Sequence, residues 1–88
     1  MLNNDQIKLL EGYEKYLKEQ GYATSSINIY KGRIIRFFKE HYSVNDLIVP
    51  LATLIQDYSR SGSKYDPKDH YNTVNALKRL ADSLGILY

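Results

Sequence analysis

Between Gly21 and Glu40 the chain reads GYATSSINIYKGRIIRFFKE, and this stretch constrains the fold more than any other. Ile27, Tyr30, Ile34, Phe37 and Phe38 recur at spacings of three and four, the period of a helix with one apolar side. Thr24, Ser25 or Ser26 can each supply the N-cap oxygen for it. Asn28, Lys31, Arg33, Arg36 and Lys39 lie beside and behind the stripe, with no acidic residue before Glu40. One face is patterned to bury, and the other carries positive charge.

Three further segments share that period. From Asn4 to Gln20, the residues Ile7, Leu10, Tyr13 and Leu17 form a stripe widened by Leu9 and Tyr16. Asn3 or Asn4 can cap it, Asp5 complements the helix dipole, and Gly21 supplies a left-handed stop. Gly12 weakens this helix by up to ~1 kcal/mol relative to alanine, and Gly32 weakens the next one similarly. Pro50 suits the first turn of a third helix that buries Leu51, Leu54, Ile55 and Tyr58 and ends in the polar tract 59–63. Asp66-Pro67-Lys68-Asp69 opens a fourth with an N-cap aspartate, a proline at the first helical position and a carboxylate in the first turn. Val74, Leu77, Ala81 and Leu84 are its stripe, His70, Thr73 and Leu80 its margins, and Gly85 its stop.

The second helix is expected to fray around His41–Ser43, where the connector SVNDLIVP begins. Its β-branched residues would suit a strand, but no second alternating run exists to pair with it. The expected fold is all-α, a compact four-helix bundle forming one domain over 1–88.

Composition removes several function classes. With 88 residues and no cysteine, neither a disulfide framework nor a cysteine zinc site is available. His41 and His70 lack a ligand-like spacing, so neither metal nor cofactor is expected. No apolar run nears the roughly 18 residues of a membrane span. The opening MLNNDQ lacks the basic-then-apolar layout of a signal peptide, and a cytoplasmic protein is the expectation. The net charge is only +2, but it is unevenly placed. Residues 1–20 carry −1, 21–40 carry +3, 41–59 carry −2, 60–79 carry +3 and 80–88 carry −1.

Catalytic chemistry finds little purchase. Tyr13, Tyr16, Tyr30 and Tyr58 fall on or beside apolar stripes, as amphipathic core residues do. Tyr22, Tyr42, Tyr65 and Tyr71 flank turns or helix starts, without a partner that would activate a tyrosine nucleophile. His70 is expected at a boundary and His41 at a helix end. Glu11 and Glu14 read as solvent-facing, and Asp66 and Asp69 as capping residues. No phosphate loop, nucleophile elbow or carboxylate–histidine spacing occurs, so an autonomous enzyme is not expected.

Recognition is better supplied. The second and fourth helices each begin with hydroxyl and amide side chains, and each follows them with cations. Such starts bind phosphate oxygens, and asparagine or lysine one turn later can reach base edges. Two ordinary solvated helix starts would share these features.

The run from Tyr13 to Glu40 resembles the opening of the core-binding (SAM-like) domain of tyrosine recombinases, the phage-integrase family. The matching positions are Tyr13, Tyr16-Leu17, Gly21, Ala23 to Ser26, Ile27, Tyr30, Ile34 and Phe37. Its second half is matched by Asp66, Pro67 and Asp69 at a turn, then Ala76-Leu77-Lys78 and Gly85. The sequence departs at Ala23, where the family has serine, and at Ser26 and Asp69, where it has threonine. The resemblance covers about residues 7–87. It implies a SAM-like four-helix module that clamps one side of duplex DNA with its second and fourth helices, serving DNA integration and recombination. The family's catalytic residues belong to a separate domain that no segment here matches, so this chain is not expected to be an enzyme by itself.

The expected DNA contacts are Thr24, Ser25, Asn28, Lys31, Lys68, Asn72, Asn75 and Arg79, with Arg36 and Lys64 as outer phosphate partners. A monomer in isolation, assembling on DNA as part of a longer protein, is the expected state. Two alternatives stand. One is a helical protein–protein module docking through Ile29, Ile35 and Tyr42. The other is a helix-turn-helix regulator, for which the connector after the second helix reads as too long.

Overall fold

The computed structural model describes residues 2–60 and 67–88, with backbone alone for 67–69. Five helices occur among them: α1 (Asn4–Glu19), α2 (Thr24–Lys39), α3 (Val44–Ile48), α4 (Leu51–Arg60) and α5 (Pro67–Leu84). All the regular structure of the described residues is helical. Four helices agree with the four sequence segments, and α3 corrects the reading of 43–50 as a connector without a helix of its own. Ser43 and Asp46 explain it. The Ser43 Oγ accepts the Asp46 N–H and an Asp46 carboxylate oxygen accepts the Ser43 N–H, both at 3.0 Å, a reciprocal cap. Pro50 then separates α3 from α4, and its carbonyl accepts the Leu54 N–H at 2.8 Å.

The same device opens α1. Asn3 and Gln6 exchange bonds of 2.8 Å, so the cap is Asn3 rather than Asn4. The hydroxyl residues of α2 behave differently. Ala23 occupies the N-cap with an extended backbone, and no side chain caps the helix. Thr24, Ser25 and Ser26 therefore lie inside the first turn, where their side chains cannot fold back on the orphan N–H groups.

Three helices end alike. Gly21, His41 and Gly85 take left-handed φ angles of 85°, 74° and 70°. In each case the next residue reaches back five positions: Tyr22 to the Leu17 carbonyl at 3.1 Å, Tyr42 to Phe37 at 3.2 Å and Ile86 to Ala81 at 2.9 Å. Tyr42 also sets its ring edge-on to Phe37, centroids 5.4 Å apart. Instead of fraying, α2 stops sharply, and His41 holds a conformation that glycine adopts more readily. The Asp66 cap and the tract 61–63 lie outside the described residues.

Leu10, Tyr13, Leu17, Ile27, Ile34, Phe37, Phe38, Leu47, Leu51, Ile55, Leu77 and Leu80 make the core, with Ala76 and Ala81 where α5 approaches its neighbours closely. The helix α5 packs against α1, α2 and α4. Two stripe residues are displaced from their expected burial: Ile7 is 41% and Leu84 40% exposed. Gln6 is buried beside Ile7 because its amide donates to the Tyr42 carbonyl at 3.0 Å, tying α1 to the turn after α2. Tyr13 is buried with its hydroxyl donating to the Ala76 carbonyl at 2.8 Å. The radius of gyration is 12.3 Å, against about 12 Å for a compact chain of this length.

Candidate nucleic-acid interface

The two cationic helices are neighbours. Near the end of α5, Arg79 donates to the Tyr22 hydroxyl at 3.3 Å, just ahead of α2. At the other end, His70 and Thr73 share a cavity wall with Arg33, Arg36 and Phe37. The helices are thus antiparallel, and their two polar starts lie at opposite ends of the pair. A 16-residue helix is about 24 Å long, so the starts cannot act as a single anion cradle. What the packing brings together is the start of one helix and the end of the other.

On α2 the expected contacts divide between two sides. Thr24, Asn28 and Lys31 are spaced i, i+4, i+7 and share an edge; Ser25 and Arg36, three turns apart, lie off that edge, and Arg36 lines the cavity shared with α4 and α5. Thr24, Ser25 and Asn28 are exposed. Lys31 is drawn toward α1, its ammonium 2.9 Å from the Glu14 carboxylate, and Lys18 stands 3.7 Å from the same group. The Lys31 hydrogen bond, aided by the charges of Lys31 and Lys18, holds the Glu14 carboxyl below its ordinary value.

On α5, Lys68, Asn72, Asn75 and Arg79 repeat at i, i+4, i+7 and i+11, one continuous edge. Asn72 and Asn75 are half-buried. Arg79 is also 3.2 Å from Asp82, and its bond to Tyr22 holds it firmly in the charged form. Lys64 and the side chain of Lys68 lie outside the described residues.

Four residues outside the expected contact set stand beside it. Tyr22 and Tyr30 stand edge to face at 5.9 Å beside Arg79, and Tyr71 of α5 is 66% exposed. Arg33 faces the α4–α5 side of α2, where Tyr58, His70 and Thr73 join it around a cavity of about 200 Å³. The spacing Tyr30–Arg33–Phe37 carries the signal, since a residue three from one stripe member and four from the next lies on the stripe's margin. Burial raises the phenol pKa of Tyr13 and, less strongly, of Tyr30, the opposite direction from nucleophile activation.

Among the described residues no group of three or more His, Cys, Asp and Glu is placed to hold a metal, and no helix is long and apolar enough to cross a membrane. No protein-family model matches the chain, and no curated protein or solved structure does so either.

Proposed function

We propose that this chain is a DNA-binding module of the SAM-like, core-binding kind found in tyrosine recombinases, gripping duplex DNA through α2 and α5. The observation that carries the proposal is the side-by-side packing of these two helices, which sets the positive block of α2 beside the helix that bears Lys68, Lys78 and Arg79. The exposed Thr24, Ser25 and Asn28 meet the phosphate backbone at one end, with α2 N–H groups that no side chain caps. Asn72, Asn75 and Arg79 continue the contact along α5, with Lys68 at its start. Lys31 joins once duplex phosphates compete with Glu14, a cheap exchange for a surface pair. Strand cutting and rejoining would belong to another domain of the same protein. The module itself would be a monomer of the cytoplasm that needs no cofactor.

Titration of a labelled duplex by fluorescence anisotropy at two salt concentrations tests this. Weak binding is expected, with log affinity falling by about 0.9 per log unit of salt for each phosphate neutralised. Amide shifts should map to α2 and α5. Shifts confined to α1 and α4, or an affinity indifferent to salt, would overturn the assignment.

A helical protein–protein module is the competing reading, favoured by Leu84, Leu87 and Tyr88, which are 40%, 92% and 48% exposed. Of its expected docking residues Ile29 remains exposed, whereas Ile35 and Tyr42 pack against the core. It predicts partner binding or self-association that Lys31→Ala and Lys68→Ala leave unchanged. For a helix-turn-helix regulator, the connector after α2 is shorter than its sequence indicated, because α3 occupies most of it.

A further inference from the structure

We propose that the cavity between the C-terminal half of α2, α4 and the first turns of α5 is a binding site for a phosphate group. Arg33, Arg36, Tyr58, His70 and Thr73 line it, and all five can donate hydrogen bonds. Among the described lining residues, two guanidinium groups face it against the carboxylate of Glu40. Several donors converging on one small space suit an anion with several acceptor oxygens, and arginine forks match phosphate geometry.

Size narrows the ligand further. At about 200 Å³ the cavity is smaller than the roughly 300–1,000 Å³ of sites that take whole drug-sized ligands. One small group fits it, with the rest of the molecule outside. The wall behind is aromatic: Phe37 is 4% exposed and meets the Tyr58 ring edge-on at 5.7 Å. An apolar backing lowers the local dielectric and strengthens the pull of the guanidinium groups. The arginines, Tyr58, His70 and Thr73, like Asp57 of α4, also interact within the protein. A guanidinium carries five N–H donors and can serve a protein partner and an anion together. Glu40 opposes the anion and sets an upper limit on affinity.

A free phosphate ester and a nucleic-acid backbone present the same chemistry to this site. Only the second source rests on the DNA-binding reading. Two-dimensional amide NMR of the whole chain, titrated with sodium phosphate and with sodium chloride at matched ionic strength, reads the cavity directly. Saturable shifts at Arg33, Arg36, His70 and Thr73 are expected with phosphate and not with chloride. Arg36→Gln, at an exposed position, should weaken phosphate binding about tenfold, as loss of a charge-assisted hydrogen bond implies. Glu40→Gln should tighten it.

Equal shifts with chloride, or an Arg36→Gln variant that binds phosphate as the parent does, would overturn the proposal. The same variant against a duplex separates the sources. A parallel loss of duplex affinity assigns the phosphate to a nucleic-acid backbone. Duplex affinity that holds while phosphate binding falls assigns it to a free ester, and the site stands in both cases. If phosphate binds and the duplex does not, the site stands and the DNA-binding reading falls.

Discussion

The two flanks of α2 carry similar charge to different ends. On the flank facing α1, Lys31 meets Glu14 at 2.9 Å and Lys18 approaches the same carboxylate, so three charged groups leave one net positive charge. On the flank facing α4 and α5, Arg33 and Arg36 stand around a cavity with aromatic backing and Glu40 as the opposing carboxylate on its wall. A positive block in the sequence therefore says little about where positive potential is available. The distribution of acidic residues on neighbouring helices decides it, and that is a property of the packing.

The most severe way to break the contrast is to loosen the element that supports both flanks. Leu77 is fully buried on α5, and Leu77→Ala should cost about 2–5 kcal/mol in urea unfolding, with loss of the cavity and of the Arg79–Tyr22 contact together. A milder change separates them. Tyr13→Phe removes the buried bond between α1 and α5 and should cost about 1 kcal/mol. Amide shifts should then change along α1 while those around Arg33 and Thr73 hold.

His41→Gly acts in the stabilising direction. Relief of a left-handed φ at a residue with a Cβ should add about 1 kcal/mol to the unfolding free energy, the size of the penalty for that conformation. A destabilised His41→Gly variant would show that the imidazole makes a contact worth more than the backbone cost.

The smallest expected effect converts one flank toward the other. Glu14→Gln releases Lys31 and Lys18 and should tighten duplex binding a few-fold, with a steeper salt dependence. It also carries a pH signature. Because the folded Glu14 carboxyl lies below its ordinary 4.5, its ion pairs stabilise the fold above that value, and the contribution is lost as pH falls through the folded value. The parent should therefore lose its advantage over Glu14→Gln as pH drops below 4.5 in thermal melts.

Much of the secondary structure could be read directly. The Gly21 and Gly85 stops and the Pro67 start are visible because glycine and proline announce their backbone angles. His41 takes the same left-handed turn without announcing it, and α2 was accordingly expected to fray. The helix α3 is hidden in the sequence although Ser43 and Asp46 have capping-box spacing, because five residues are too few to show a period. The N-cap of α2 is not legible, since three adjacent hydroxyls do not say which residue stands outside the helix, and Ala23 takes the place. Of the interface, the edges of α2 and α5 could be drawn from spacing alone. The cavity could not, because Arg33, Tyr58 and His70 are brought together from three helices.

By itself, then, the sequence determined that the chain is helical, where most helices start and stop, and which side of each one buries. These depend on residues within a turn or two of one another, where the 3.6-residue period and the local backbone preferences act. Only the tertiary structure decided that α2 and α5 run antiparallel, that Lys31 answers to Glu14, and that Arg33 and Arg36 enclose a cavity with His70. Those are long-range pairings, set by how four apolar stripes share one small core.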